Sequence, residues 1–179
     1  MTLAQTVTCS ARVRQCAQAR RAAVLAGIGC VAFAVGLLLY LTDRVGWQAL
    51  LLPALAALTG GNVFGALGQW LPSFVHPFSF SLFTAAALPP ASAPRHGACV
   101  AWAAVNIAFE LGQHPRVSAS LAEAMQGGLS GMPLAQALAR YFIDGTFDSG
   151  DIVAALLGAL AASAVLHLVH RDREHNHAP

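Results

Sequence analysis

Three short stretches of this sequence carry ionisable groups at spacings a helix would bring together. Asn106, Glu110 and Gln113 are four and three residues apart, which places them on one stripe of a helix. Gly145-Thr146-Phe147-Asp148-Ser149-Gly150-Asp151 sets two carboxylates in front of a long apolar run. His76-Pro77-Phe78 lies near the start of another. Carboxylates and an imidazole at the edge of an apolar region could relay protons, hold a cation or receive the donors of a lipid headgroup. Each group also has a purely structural reading. The stripe could hydrogen-bond neighbouring helices, and Thr146 or Asp148 could cap a helix with Asp151 in its first turn, where the dipole favours an anion.

What must position these groups is read from composition. The 179 residues are 56% hydrophobic and 10% charged, with mean hydropathy +0.59. A soluble domain carries about 25% charged residues. So few charges cannot cover a water-soluble globule, and the chain reads as one integral membrane domain, all-α, with small Ala and Gly residues at its helix contacts. Disorder, a disulfide scaffold and nucleic-acid binding are excluded by the hydrophobicity, the four Cys and a net charge of only +2. Every basic residue is Arg and none is Lys, a bias of GC-rich, bacterial genomes.

The expected fold is a polytopic bundle of about four transmembrane helices plus short interfacial ones. A basic tail, 1–21, precedes a membrane domain, 22–170, and a polar tail, 171–179. The first span, Ala22–Leu41, is long enough to cross the hydrocarbon core and longer than a signal peptide's apolar region of roughly 7–15 residues, so it is expected to be an uncleaved anchor. Gly46–Leu58 is short and broken by Pro53, as a re-entrant or interfacial segment would be. The other spans are expected over 72–88, 98–113 and 151–170, the second opening at Pro72. Between the last two, 114–150 forms an outer loop in which Ser118–Gln126 and Pro133–Phe142 have amphipathic helical spacing.

Arginines orient this bundle. With the N-terminus inside, Arg12, Arg14, Arg20, Arg21, Arg95, Arg171 and Arg173 are inner and only Arg44, Arg116 and Arg140 are outer. Both termini are therefore expected in the cytoplasm. Alternation of the spans then brings His76, Glu110, Gln113, Asp148 and Asp151 to the outer membrane boundary, with Asn106 beside them. Ionisable groups in spans cost about 2.5–3.5 kcal/mol at a helix centre, so their gathering there calls for a reason. His167, His170, His175 and His177 read as a solvated end, and no thiol or carboxylate framework predicts a metal. No phosphate loop or catalytic triad order occurs, and no cofactor is expected.

Glu110-x-x-Gln113, a loop, Gly145-x-x-Asp148-x-x-Asp151 and then Gly158 resembles the VanZ-like family of small bacterial membrane proteins. His76-Pro77-Phe78 is the counterpart of a His-Phe element that opens the preceding span in that family. The resemblance covers roughly residues 73–165. Thr146 stands where the family has Arg, and Ala155 where it has Asn. If that Arg neutralises the carboxylates in typical members, this chain must use another cation, such as Arg140 or Arg116, or else the original activity has been lost.

The resemblance implies a multi-span protein of the cell envelope in the bacterial cytoplasmic membrane, with some members linked to glycopeptide (teicoplanin-type) resistance, but supplies no reaction; the leading expectation is a non-enzymatic protein. Its partners would be the bilayer and a lipid headgroup, glycopeptide or membrane protein. Two other classes stay open: an intramembrane enzyme acting on a lipid or lipid-linked substrate, and an accessory subunit of a larger complex. The last expects Glu110 to bond another helix with no cavity beside it.

Overall fold

A computed structural model describes residues 3–44, 54, 64–89, 92–128 and 131–175. Among these residues there are six α-helices and no strand. They are α1 (Leu3–Leu39), α2 (Gly65–Ala87), α3 (Ser92–Gly112), α4 (Ser118–Gly128), α5 (Pro133–Asp144) and α6 (Ser149–His175). A π-helical turn, Tyr40–Arg44, continues α1. The segment expected to be re-entrant, Gly46–Leu58, falls outside the described residues save for residue 54.

Two segments are long and apolar enough to cross a membrane, Gln15–Thr42 and Ser149–Val169. Both are dressed in apolar side chains on their open faces: Val24, Val31, Val35 and Leu38 on α1, and Val153, Leu156, Leu157 and Leu160 on α6 are all exposed. Water disfavours so much contiguous apolar surface. The basic residues of the N-terminal tail continue α1 as helix, and α6 runs through to His175, so neither tail marks a break in its helix.

The second apolar segment begins earlier than Pro72. α2 starts at Gly65, whose φ of +54° suits glycine, and carries both Pro72 and Pro77 in its interior. A proline deprives the carbonyl four residues back of its helical bond. Neighbouring helices can compensate for that loss inside a bundle, and α2 is the central helix, packed against α1, α3 and α6. It ends at Leu88 in extended conformation before Pro89. Arg95, 2% exposed, turns back from the first turn of α3 and donates to the Leu88 and Pro89 carbonyls at 3.3 and 3.1 Å. A charge expected in a loop thus serves as a cap for the end of α2.

Small residues set the helix spacing. The core consists of Leu25, Leu82, Ala85, Cys99, Ala103, Ala159, Ala162 and Leu166, and Ala155 is also buried. At the closest crossing of α6 over α2, a Cβ on Gly158 would run into the Phe74 carbonyl oxygen. That obstacle is backbone and cannot swing aside. Gly158→Val is expected to cost about 1–3 kcal/mol by overpacking, lowering the thermal midpoint of the purified protein in detergent. Leu160→Val, on the exposed face, serves as the control and should leave the midpoint nearly unchanged. Equal midpoints for the two variants would contradict this crossing.

Candidate functional site: a carboxylate-lined cavity

The end of α3 and the start of α6 are tied together by a side chain to backbone bond. Glu110, in the last turn of α3, accepts the Asp148 N–H through Oε1 at 2.5 Å. Asp148 is the N-cap of α6: its Oδ1 accepts the Gly150 N–H at 2.8 Å, satisfying one of the free donors at the helix start. Its Oδ2 accepts from the Trp70 indole of α2 at 3.2 Å. One turn on, Asp151 Oδ1 accepts the Ser73 hydroxyl of α2 at 2.7 Å. The capping reading of Asp148 is therefore right, and both aspartates also bind α2.

These bonds frame a cavity of about 400 Å³. His76, Asn106, Glu110, Gln113, Gly145 and Asp151 all line it, as does Thr146. Asp148 stands just behind its wall, through the bonds above, and Gly158 lies away from it at the α2 crossing. Tyr40, Gln69, Ser73, Phe109, Tyr141 and Asp144 complete much of the lining. None of these had been singled out from the sequence.

Within the site the stripe on α3 divides its work. Asn106 Nδ2 donates to the Trp102 carbonyl of its own helix at 2.8 Å rather than to a neighbour, which corrects the expectation of an interhelical bond for that residue. Glu110 and Gln113 are 9% and 8% exposed. Gln113 lies just past the helix end and lines the cavity together with Tyr141 of α5. Gly145 abuts the Gln113 amide so closely that a Cβ would overlap it.

The α4–α5 pair lies over this end. Its helices occupy the stretches whose spacing predicts them, and Pro133 sits at the start of α5, where its missing N–H costs nothing. Phe109 of α3 holds α5 by stacking on Phe142, with centroids 5.7 Å apart, and by an edge contact with Tyr141 at 5.8 Å. Burial first, and the Glu110 carboxylate second, push the Tyr141 hydroxyl above the usual phenol range, so it stays protonated.

Neither Arg140 nor Arg116 lines the cavity, and both are exposed, so the expectation that one of them replaces the family's Arg is not met in its walls. Thr146, at that position, brings a hydroxyl instead of a charge. Three carboxylates, Glu110, Asp144 and Asp151, face the cavity, and among the described residues no Arg or Lys does. Comparison with family models, curated proteins and solved structures gives no match for this chain.

Glu110→Ala is expected to leave the part-buried Asp148 N–H without its acceptor and to cost about 0.5–1.5 kcal/mol, the net contribution of a typical hydrogen bond. Glu110→Gln keeps an acceptor oxygen and should lose less. Denaturation midpoints of the two variants check this, and a negligible loss in Glu110→Ala would remove the bond's structural role.

Proposed function

We propose that this chain is a four-span, VanZ-like protein of the bacterial cytoplasmic membrane, with both termini cytoplasmic and the carboxylate-lined cavity at the outer boundary. α1, α2, α3 and α6 are the spans, and α4–α5 lies over the cavity. The protein acts in the cell envelope by binding a polar group at that boundary, without catalysis, in the manner linked to teicoplanin-type resistance.

One observation carries this reading. His76, Glu110, Gln113, Gly145 and Asp151, on which the resemblance rests, all line one cavity although they come from three helices and a loop. An accessory subunit would need Glu110 only to fix helix register, and a 400 Å³ opening beside it is superfluous to that task. The apolar exteriors of α1 and α6 and the seven-to-three division of the arginines support the membrane placement.

A second reading, an enzyme for a lipid-linked substrate, is favoured by the Ser73 hydroxyl donating to Asp151 in the same cavity as His76. Against it, His76 stacks on Phe80 with centroids 6.0 Å apart and makes no hydrogen bond among the described residues. Nothing there relays a proton from the hydroxyl to the imidazole.

Susceptibility to teicoplanin in cells making wild type, Glu110→Gln or Ser73→Ala at matched membrane levels tests the proposal. Wild type should protect, Glu110→Gln should lose most of the protection, and Ser73→Ala should keep it. Absence of protection by wild type, in a host where the drug reaches its target, overturns the resistance reading. Loss with Ser73→Ala alone turns it toward the enzyme. Reporter fusions at each terminus check the topology, with cytoplasmic signals expected at both and an external signal at either contradicting it.

A further inference from the structure

The polar cavity has an apolar neighbour. A recess of about 250 Å³ lies between α1 and α2, walled by Phe33, Gly36, Leu37 and Val75. Tyr40, Pro72 and His76 border both spaces, so the two adjoin along one line of residues. Leu37 and Tyr40 are half-exposed, so the recess opens on the flank of α1, where the proposed bundle meets acyl chains. One side of the joint compartment is thus hydrocarbon and the other carboxylate, with His76 at the junction. This division matches an amphiphile: a chain laid along α1 and a headgroup in the cavity.

The sign of the headgroup follows from what the cavity lacks. Glu110, Asp144 and Asp151 face it without an Arg or Lys among the described lining residues. Glu110 as a residue is nine-tenths buried; its Oε1 takes the Asp148 N–H, while Oε2 is open to the cavity, and among the described residues no donor reaches it. A carboxylate oxygen that borders a cavity and has no protein donor is free to accept a charge-assisted hydrogen bond from a cationic group there. A phosphate alone would meet like charge and be rejected. Gln113, Thr146 and Tyr141 supply further polar contacts without changing this balance.

We infer that the joined cavities bind a membrane amphiphile with a primary ammonium headgroup, the ammonium at Glu110 and Asp151 and the acyl chain in the recess between α1 and α2. This rests on the membrane placement above but not on the resistance role.

The test uses full-length protein in phosphatidylcholine nanodiscs, titrated separately with dodecylamine, dodecanol, dodecyl phosphate and tail-less ethylamine, with bound copies counted by native mass spectrometry. One dodecylamine per protein should bind saturably, at least tenfold tighter than each of the other three. Glu110→Gln with Asp151→Asn should weaken dodecylamine at least tenfold. Leu37→Trp, which fills the recess from an exposed position, should weaken it without lowering the thermal midpoint. Equal binding of dodecanol and dodecylamine overturns the ammonium assignment. Equal binding of ethylamine overturns the acyl-chain assignment, and preference for dodecyl phosphate or unsaturable uptake overturns both. If dodecylamine binds as stated but teicoplanin protection is absent, the resistance role falls alone. If protection depends on Glu110 but no amine binds, this inference falls alone.

Discussion

The bond from the Asp148 N–H to the Glu110 carboxylate is the constraint on which this end of the bundle depends. It spans 38 positions of sequence and fixes where α6 begins relative to where α3 ends. Near a bilayer a free helix N-terminus and a bare carboxylate are each costly, and each satisfies the other here. Once α6 starts at that point, Asp148 and Asp151 fall one turn apart on the side facing α2, where Trp70 and Ser73 supply their donors. Five polar side chains and the Asp148 backbone amide thus join three helices at a single level.

Elsewhere the bundle is held by shape. Ala85, Ala103, Ala159 and Ala162 in the core let the helices approach closely, and Gly158 allows α6 to cross the Phe74 carbonyl of α2. Close approach lower in the bundle and polar ties at its end have different consequences. The packed core is filled by side chains, whereas open volume lies beside the carboxylates. Phe109 reaches past that volume to the aromatic face of α5 and carries the α4–α5 pair above it.

Hydropathy made the long helices at Ala22–Leu41 and 151–170 legible, and apolar spacing located α4 and α5 to within a few residues. The gathering of His76, Glu110, Gln113 and Asp151 in one cavity is what alternating helix directions predict, with no distances needed. What stayed hidden has physical reasons. The partner of Glu110 is a backbone amide, which no residue type announces. Trp70 and Ser73 lie in or beside a weakly apolar stretch that Pro72 seemed to close, and α2 absorbs that proline because its neighbours support it on several sides. Tyr141 looked like an ordinary position of an amphipathic helix until the fold turned α5 toward Gln113.

The central claim is that α2 and α6 meet at the carboxylate level, and an engineered disulfide tests it most directly. Ser73→Cys and Asp151→Cys would replace two side chains now 2.7 Å apart, in a protein whose four native cysteines, Cys9, Cys16, Cys30 and Cys99, are changed to Ala. Mild oxidation of native membranes should close this bridge within one chain, seen as a reducible mobility shift after cleavage engineered into the 129–130 link. A Ser73→Cys, Leu166→Cys pair at the far end of α6 should stay open. Failure of the first pair to close, or equal closure of the second, would contradict the placement of the carboxylates around a common cavity.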